Sequence, residues 1–186
     1  VLASGVRAHR VQDEARHRFV NLDVWVNRVV AALLTRSHAC AYGVPGVGKS
    51  ASIEVLMSAI EGARLWRTQL SRDSRPSDIF GELDVKELQR TGERRSQVLD
   101  RGFLRAHVAE IDEMFNAMAG LLTRMNSSLN ERVYYNGSER LRLELFSVLA
   151  STNKNPFELC ALDGDYRASV DRFRFICELQ DVTEED

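Results

Sequence analysis

The eight residues Gly43-Val44-Pro45-Gly46-Val47-Gly48-Lys49-Ser50 satisfy the spacing G-x-x-x-x-G-K-[ST] at every constrained position. Glycines in such a run let the backbone wrap so that successive N–H groups point at phosphate oxygens, in conformations that a Cβ would obstruct. Lys49 is then placed to neutralise charge on the outer phosphates, and the Ser50 hydroxyl to bind Mg²⁺. The helix expected from Lys49 to Ile60, with Ala51 in its first turn, directs the positive end of its dipole to the same spot. A nucleotide phosphate site therefore spans Gly43, Val44, Pro45, Gly46, Val47, Gly48, Lys49, Ser50 and Ala51. Its spacing does not decide between ATP and GTP.

A second group lies in Val108-Ala109-Glu110-Ile111-Asp112-Glu113, an apolar strand ending in two carboxylates. At the end of a parallel strand, Asp112 can join Ser50 in holding Mg²⁺, and Glu113 can act as general base on an attacking water. Glu110 breaks the pattern: a carboxylate inside a central strand requires a partner or an edge. Asn153 closes the next apolar run, Phe146 to Thr152. Its amide can orient the water or the terminal phosphate, or it can simply begin the loop Lys154-Asn155-Pro156.

These residues need a frame to converge. Ala39 to Tyr42 reads as the buried strand before the loop, preceded by an amphipathic helix from Phe19 to Leu34 that carries Val24, Trp25, Val29, Val30, Leu33 and Leu34. Ala63 to Leu70 alternates as a second strand. Asp78 to Leu104, alternating around a charged tip, reads as a β-hairpin insert. Met114 to Leu129 reads as a helix with Met118, Leu121, Leu122, Met125 and Leu129 in its stripe. Glu131 to Leu143 carries Tyr134-Tyr135-Asn136-Gly137, whose Asn-Gly reads as a two-residue hairpin turn. A helix from Leu159 to Val170, broken at Gly164, and a last strand entered through Asp171 to Leu179 complete the set.

With 186 residues, 44% hydrophobic content and a formal charge of −2, the chain is expected to form one globular domain, or one and a fraction, without a general affinity for nucleic acid. No apolar run approaches the ~20 residues a membrane span needs. Cys40, Cys160 and Cys177, and His9, His17, His38 and His107, have no metal-ligand or disulfide spacing, and fit core or solvated positions in a reducing cytoplasm.

The order of these pieces resembles that of the AAA+ ATPases, and most closely the MoxR group with its RavA-like members. The resemblance is carried by the phosphate loop, Pro76-Ser77-Asp78-Ile79-Phe80-Gly81-Glu82-Leu83, Gly102-Phe103-Leu104, Asp112-Glu113, Asn130-Glu131-Arg132, Asn136-Gly137, Ser151-Thr152-Asn153 and Asp171-Arg172-Phe173. It implies an α/β fold of the P-loop NTPase type: three αβα layers around a mostly parallel five-stranded sheet with β-hairpin inserts, over residues 19–180. Residues 1–18 would be a leader, and 181–186 an acidic tail or the start of a linker to a helical lid. It also implies Mg²⁺-dependent ATP hydrolysis in a hexameric cytoplasmic ring that remodels or assembles a partner protein, often one with a von Willebrand factor A domain. Asp112 would be the Walker-B residue, Glu113 the catalytic glutamate, Asn153 sensor 1, and Arg172 an arginine finger acting on a neighbour's nucleotide, with Arg167 as second candidate. Two alternatives stay open: an AAA+ motor acting on nucleic acid, and a nucleotide-switched scaffold that does not hydrolyse.

Overall fold

The computed structural model describes residues 22–44, 46, 48–58 and 60–180. The expected leader, the first residues of the opening helix and the acidic tail lie outside the described residues. Helix α1 (Asp23–Thr35) leads into β1 (His38–Gly43), and the phosphate loop joins β1 to α2 (Lys49–Ser58). Strand β2 (Leu65–Gln69) follows, then an insert bearing α3 (Pro76–Phe80) and α4 (Val85–Thr91). The chain continues through β3 (Val108–Asp112), α5 (Ala119–Asn130) and the hairpin of β4 (Val133–Asn136) and β5 (Glu139–Arg142). It closes with β6 (Ser147–Thr152), α6 (Pro156–Leu162), α7 (Arg167–Val170) and β7 (Phe173–Leu179).

The five-stranded sheet has the order β2-β3-β6-β1-β7, with every neighbouring pair parallel. Its three inner strands are covered on both faces, which is why they are nearly continuous apolar runs. On one face Trp25, Val26 and Val29 of α1 and Ile53, Leu56 and Met57 of α2 pack on Ala39, Ala41, Val108 and Leu149. On the other, Leu121, Leu122, Met125 and Leu129 of α5 pack on Cys40, Ala109, Ile111, Val148 and Ala150. The result is the expected three-layer αβα fold. Because the strands are parallel, the phosphate loop, Asp112 and Asn153 all leave the sheet at the same edge. Gly43 marks that exit: its φ is +126°, and a Cβ there would lie 2.1 Å from the carbonyl oxygen of Leu179 on β7.

Several local expectations change. Val24 and Leu34 point to solvent, and Val26 and Ala32 fill the buried face of α1 instead. The helix expected from Met114 is a 3₁₀ turn, Met114–Asn116, separated from α5 by extended backbone at Ala117 and Met118. Met118 is consequently exposed and does not belong to the stripe. The helix expected from Leu159 begins at Pro156, with Asn155 as N-cap, and gives way to a 3₁₀ turn at Gly164–Tyr166 before α7.

In the first insert the two arms meet antiparallel at Leu83 and Ser96, but the tip is α4, capped by the Asp84 carboxylate on the Glu87 N–H at 3.0 Å. The second insert is the expected hairpin, and Gly137 takes the left-handed φ of +65° in its turn. The buried Asn136 side chain accepts from the Ser96 N–H at 2.6 Å and donates to the Ser96 carbonyl at 3.0 Å, so the two inserts are tied together. No described helix is long and apolar enough to cross a membrane.

Glu110 has the partner it required, although its strand β3 is not an edge of the sheet. It lies opposite Arg67 of the edge strand β2 in register, and Arg67 Nε is 2.8 Å from Glu110 Oε2, a close ion pair whose angle falls short of a hydrogen bond. Arg67 also reaches Glu54 of α2 at 3.8 Å. Replacing Arg67 with Ala leaves a carboxylate buried without a counter-charge and is expected to cost about 2 kcal/mol, less than a fully buried pair because Arg67 is half exposed. Arg67→Ala combined with Glu110→Val should recover most of that loss in denaturant unfolding, since an apolar pair leaves no charge stranded.

Candidate functional site

At the strand ends, Gly46, Gly48, Lys49, Ser50, Ala51, Asp112, Glu113 and Asn153 line one open cleft of about 280 Å³. The sequence therefore brings its phosphate loop, both carboxylates and the asparagine to one place. Pro45 and Val47 lie outside the described residues, and Val44 is exposed beside the cleft. The Lys49 side chain is almost buried, and its Nζ donates to the Val44 carbonyl at 3.3 Å, which keeps the ammonium folded over the loop. Gly46 and Gly48 both have positive φ, the left-handed backbone that glycine adopts at no steric cost.

Asp112 is fixed rather than free. Its Oδ1 accepts from the buried Ser151 hydroxyl on β6 at 2.5 Å and from the Glu113 N–H at 3.0 Å. Ser151 is a positioning contact to which the sequence reading gave no role of its own. Among the described residues no cluster of three or more His, Cys, Asp or Glu side chains could cage a metal. Among the lining groups the Ser50 hydroxyl and the Asp112 carboxylate are hard oxygen donors, while the Glu113 carboxylate is taken up by asparagine amides. Such a sparse set of hard oxygens fits Mg²⁺, which keeps much of its shell for water and substrate phosphates.

Glu113 has left-handed backbone, φ 52° and ψ 39°, which aims its side chain back across the end of β3. Its carboxylate takes three donors: the Asn153 side-chain amide on Oε1, the Asn116 side-chain amide on Oε2 at 2.9 Å, and the Asn153 N–H on Oε2 at 3.4 Å. Asn153 thus faces the cleft, whereas Asn155 is spent on capping α6 through the Phe157 N–H at 3.0 Å. Asn116 had no place in the sequence reading, since an asparagine after Asp-Glu has no signal until the backbone of Glu113 turns.

Arg172 is not part of this cleft. It immediately precedes Phe173, which pairs with His38 at the start of β1, so it sits at the opposite edge of the sheet from the phosphate loop. Its side chain is half-buried, and its Nε has no hydrogen-bond partner. Arg167, at the start of α7, is exposed. Neither arginine lines the cleft of its own chain.

The cysteines stand apart from the chemistry. Burial pushes the Cys40 thiol far up and that of Cys177 to about 11, so neither offers a thiolate near neutral pH. His38 is a core residue, and His9 and His17 lie outside the described residues.

A family model described as the MoxR domain in MoxR-vWA-beta-propeller ternary systems matches residues 6–186. An uncharacterized protein of Methanocaldococcus jannaschii is 28% identical over 170 residues, covering 91% of this chain and 43% of its own length. The chaperone MoxR1 of Mycobacterium tuberculosis is 28% identical over 163 residues, covering 87% of this chain and 41% of its own. The chain thus spans less than half the length of these curated relatives. A solved structure of a candidate ATPase from Cytophaga hutchinsonii superposes with a TM-score of 0.72 at 23% identity, over 99% of this chain and 54% of that one, and bears on the fold alone. With the family model matched over nearly its whole length and the same fold in a solved relative, this chain belongs to the MoxR family of AAA+ ATPases.

Proposed function

We propose that the chain is the Mg²⁺-dependent ATP-hydrolysing core of a cytoplasmic oligomeric ring that remodels or assembles a partner protein. The observation that carries this is the convergence of Lys49, Ser50, Asp112, Glu113 and Asn153 on one cleft. The phosphate loop and Lys49 bind the phosphates, and Ser50 and Asp112 would hold Mg²⁺, whose charge when bound offsets that of the phosphate oxygens. Glu113 takes a proton from the water that attacks the terminal phosphorus, Asn153 orients that water, and the bond to the bridging oxygen breaks to leave ADP and phosphate.

The opposite-edge position of Arg172 supports an arginine finger acting in trans, with the ring closing each site. A partner carrying a von Willebrand factor A domain is supported by the description of the matching family model, and by analogy only. Glu110 is accounted for by its ion pair with Arg67, so its place in β3 does not by itself favour a scaffold that binds nucleotide without hydrolysing it.

Steady-state turnover measured against protein concentration, on the full-length protein, tests the reading. Turnover per subunit should rise with concentration, and Arg172→Ala should lower it while nucleotide still binds. Mixing Arg172→Ala with Glu113→Gln subunits should then restore part of the activity, because one of the two mixed interfaces joins an intact Glu113 to an intact Arg172. No complementation at any ratio would remove the trans finger.

A further inference from the structure

We propose that Asn116 is a positioning residue for Glu113, holding one carboxylate oxygen so that the other is presented to the cleft; this rests on the reading of Glu113 as the general base. The geometry begins with the backbone. A left-handed glutamate is disfavoured by about 1 kcal/mol and persists only where its surroundings hold it. Here it opens the 3₁₀ turn Met114–Asn116, closed by the Asn116 N–H on the Glu113 carbonyl at 2.9 Å. Met114 and Phe115 are fully buried and anchor that turn in the core. Asn116 therefore returns over its own turn at a fixed place, and its Nδ2 donates to Glu113 Oε2 at 2.9 Å.

Asn116 and Asn153 approach the same carboxylate from different sides. Asn153 lines the nucleotide cleft. Asn116 does not; it lines a neighbouring cleft of about 760 Å³, together with Met118, Lys154 and Tyr166. An amide in that position acts on the reaction only through Glu113. When Asn153 turns to a bound water or phosphate, its donor leaves Oε1, and that oxygen becomes available as the proton acceptor. The Asn116 bond still fixes Oε2 at that moment. Without it Oε2 keeps only the long 3.4 Å contact from the Asn153 N–H, and the carboxylate is held loosely about its last torsion, which has only broad minima. The other charged groups at the site are Lys49 and Asp112, which line the same cleft, and Lys154, whose ammonium is turned to the Phe115 carbonyl at 3.3 Å.

The test compares kcat, KM, nucleotide affinity and the pH dependence of kcat for the full-length protein with Asn116→Ala and with the isosteric Asn116→Asp. Asn116→Ala is expected to lower kcat about tenfold, the effect of one hydrogen bond to a charged group, with KM and nucleotide affinity within twofold of the parent. Asn116→Asp keeps shape but sets a second carboxylate against Glu113, so the acid limb of the kcat profile should move up by about one pH unit or more. An asparagine out of contact with Glu113 would not move that limb, and a purely structural one would not lower kcat while leaving KM and nucleotide affinity unchanged.

Unchanged or increased kcat, or a lowered kcat with an unmoved acid limb in Asn116→Asp, overturns the proposal. If Asn116→Ala does not fold, Asn116→Asp alone decides. Glu113→Gln separates the two failures. Parental turnover in Glu113→Gln would bring down the base reading itself, whereas loss of turnover there with an unaltered Asn116→Asp profile would bring down only the positioning role.

Discussion

Glu113→Gln should lower ATP turnover by about 10² to 10⁴ while leaving nucleotide affinity within a few-fold of the parent, the range expected when a positioned general base is removed. Glu113 lies one residue beyond Asp112, at the edge of the sheet where the phosphate loop also emerges, and glutamine matches it in size. On the proposed reading phosphate binding rests on the loop, Lys49 and Ser50; the Lys49 ammonium is turned to the Val44 carbonyl and away from Glu113, so the affinity should persist. Turnover should fall because an amide accepts no proton at neutral pH. A local cost reinforces the effect: Glu113 takes donors on both oxygens, from Asn153 and Asn116, and a glutamine can accept on only one side. Its NH₂ group must face one of the two asparagine amides, so one asparagine is pushed away. Phosphate release and nucleotide binding, measured on the same preparation, decide the matter. A Gln variant within about threefold of the parental rate would mean that water is activated elsewhere.

The parts of this site that were legible in the sequence are those whose residue types are imposed by the ligand. The proposed phosphate ligand imposes the glycine spacing, Lys49 and Ser50, which are readable without a fold, and Asp112-Glu113 are readable once a parallel strand is inferred before them. What was hidden depends on contacts between elements distant in sequence. Arg67 and Glu110 look unrelated until β2 and β3 align in register. Ser151 looks like any buried strand residue until β6 lies beside β3.

The sequence predicts helix at the turn Met114–Asn116 because its apolar residues continue the 3.6-residue period into α5, while the break at Ala117 and Met118 carries neither Gly nor Pro to announce it. The tip of the first insert had a signal that alternation masked. Asp84 followed three residues later by Glu87 is a helix-start pattern, and Asp84 does cap α4.

The second large effect lies at the far edge of the sheet and concerns stability. Acidification from about pH 6.5 to about pH 4 should destabilise the domain by about 3 kcal/mol through His38 alone, since each unit of pKa separation is worth about 1.4 kcal/mol. Burial is the first cause of its low pKa, about 4 against an ordinary 6.5; the Leu129 carbonyl opposes the shift, and the Arg132 guanidinium adds to it. The hydrogen bonds say why the ring stays neutral. Nδ1 accepts the Val148 N–H at 2.8 Å, which leaves Nε2 as the protonated nitrogen, donating to Leu129 at 2.8 Å. A second proton has to go on Nδ1, where it would expel Val148 from its bond and add a charge beside Arg132, 2.8 Å from the ring.

The sign follows from which state binds that proton. Above pH 6.5 both folded and unfolded chains hold His38 neutral, and stability is complete. As the pH falls, the unfolded chain is protonated first and is favoured, and the loss stops growing only below the folded pKa of about 4. Denaturant unfolding across this window should therefore show a steep decline in the parent and a flatter one in His38→Gln, whose side chain does not titrate, even though that variant starts from lower stability. Parallel declines in the two proteins would assign the acid sensitivity to other groups. Because β1 carries His38 at one end and opens into the phosphate loop at the other, the same protonation loosens the strand that supports the nucleotide cleft. Nucleotide affinity in the parent should accordingly weaken over the same pH window, and less so in His38→Gln.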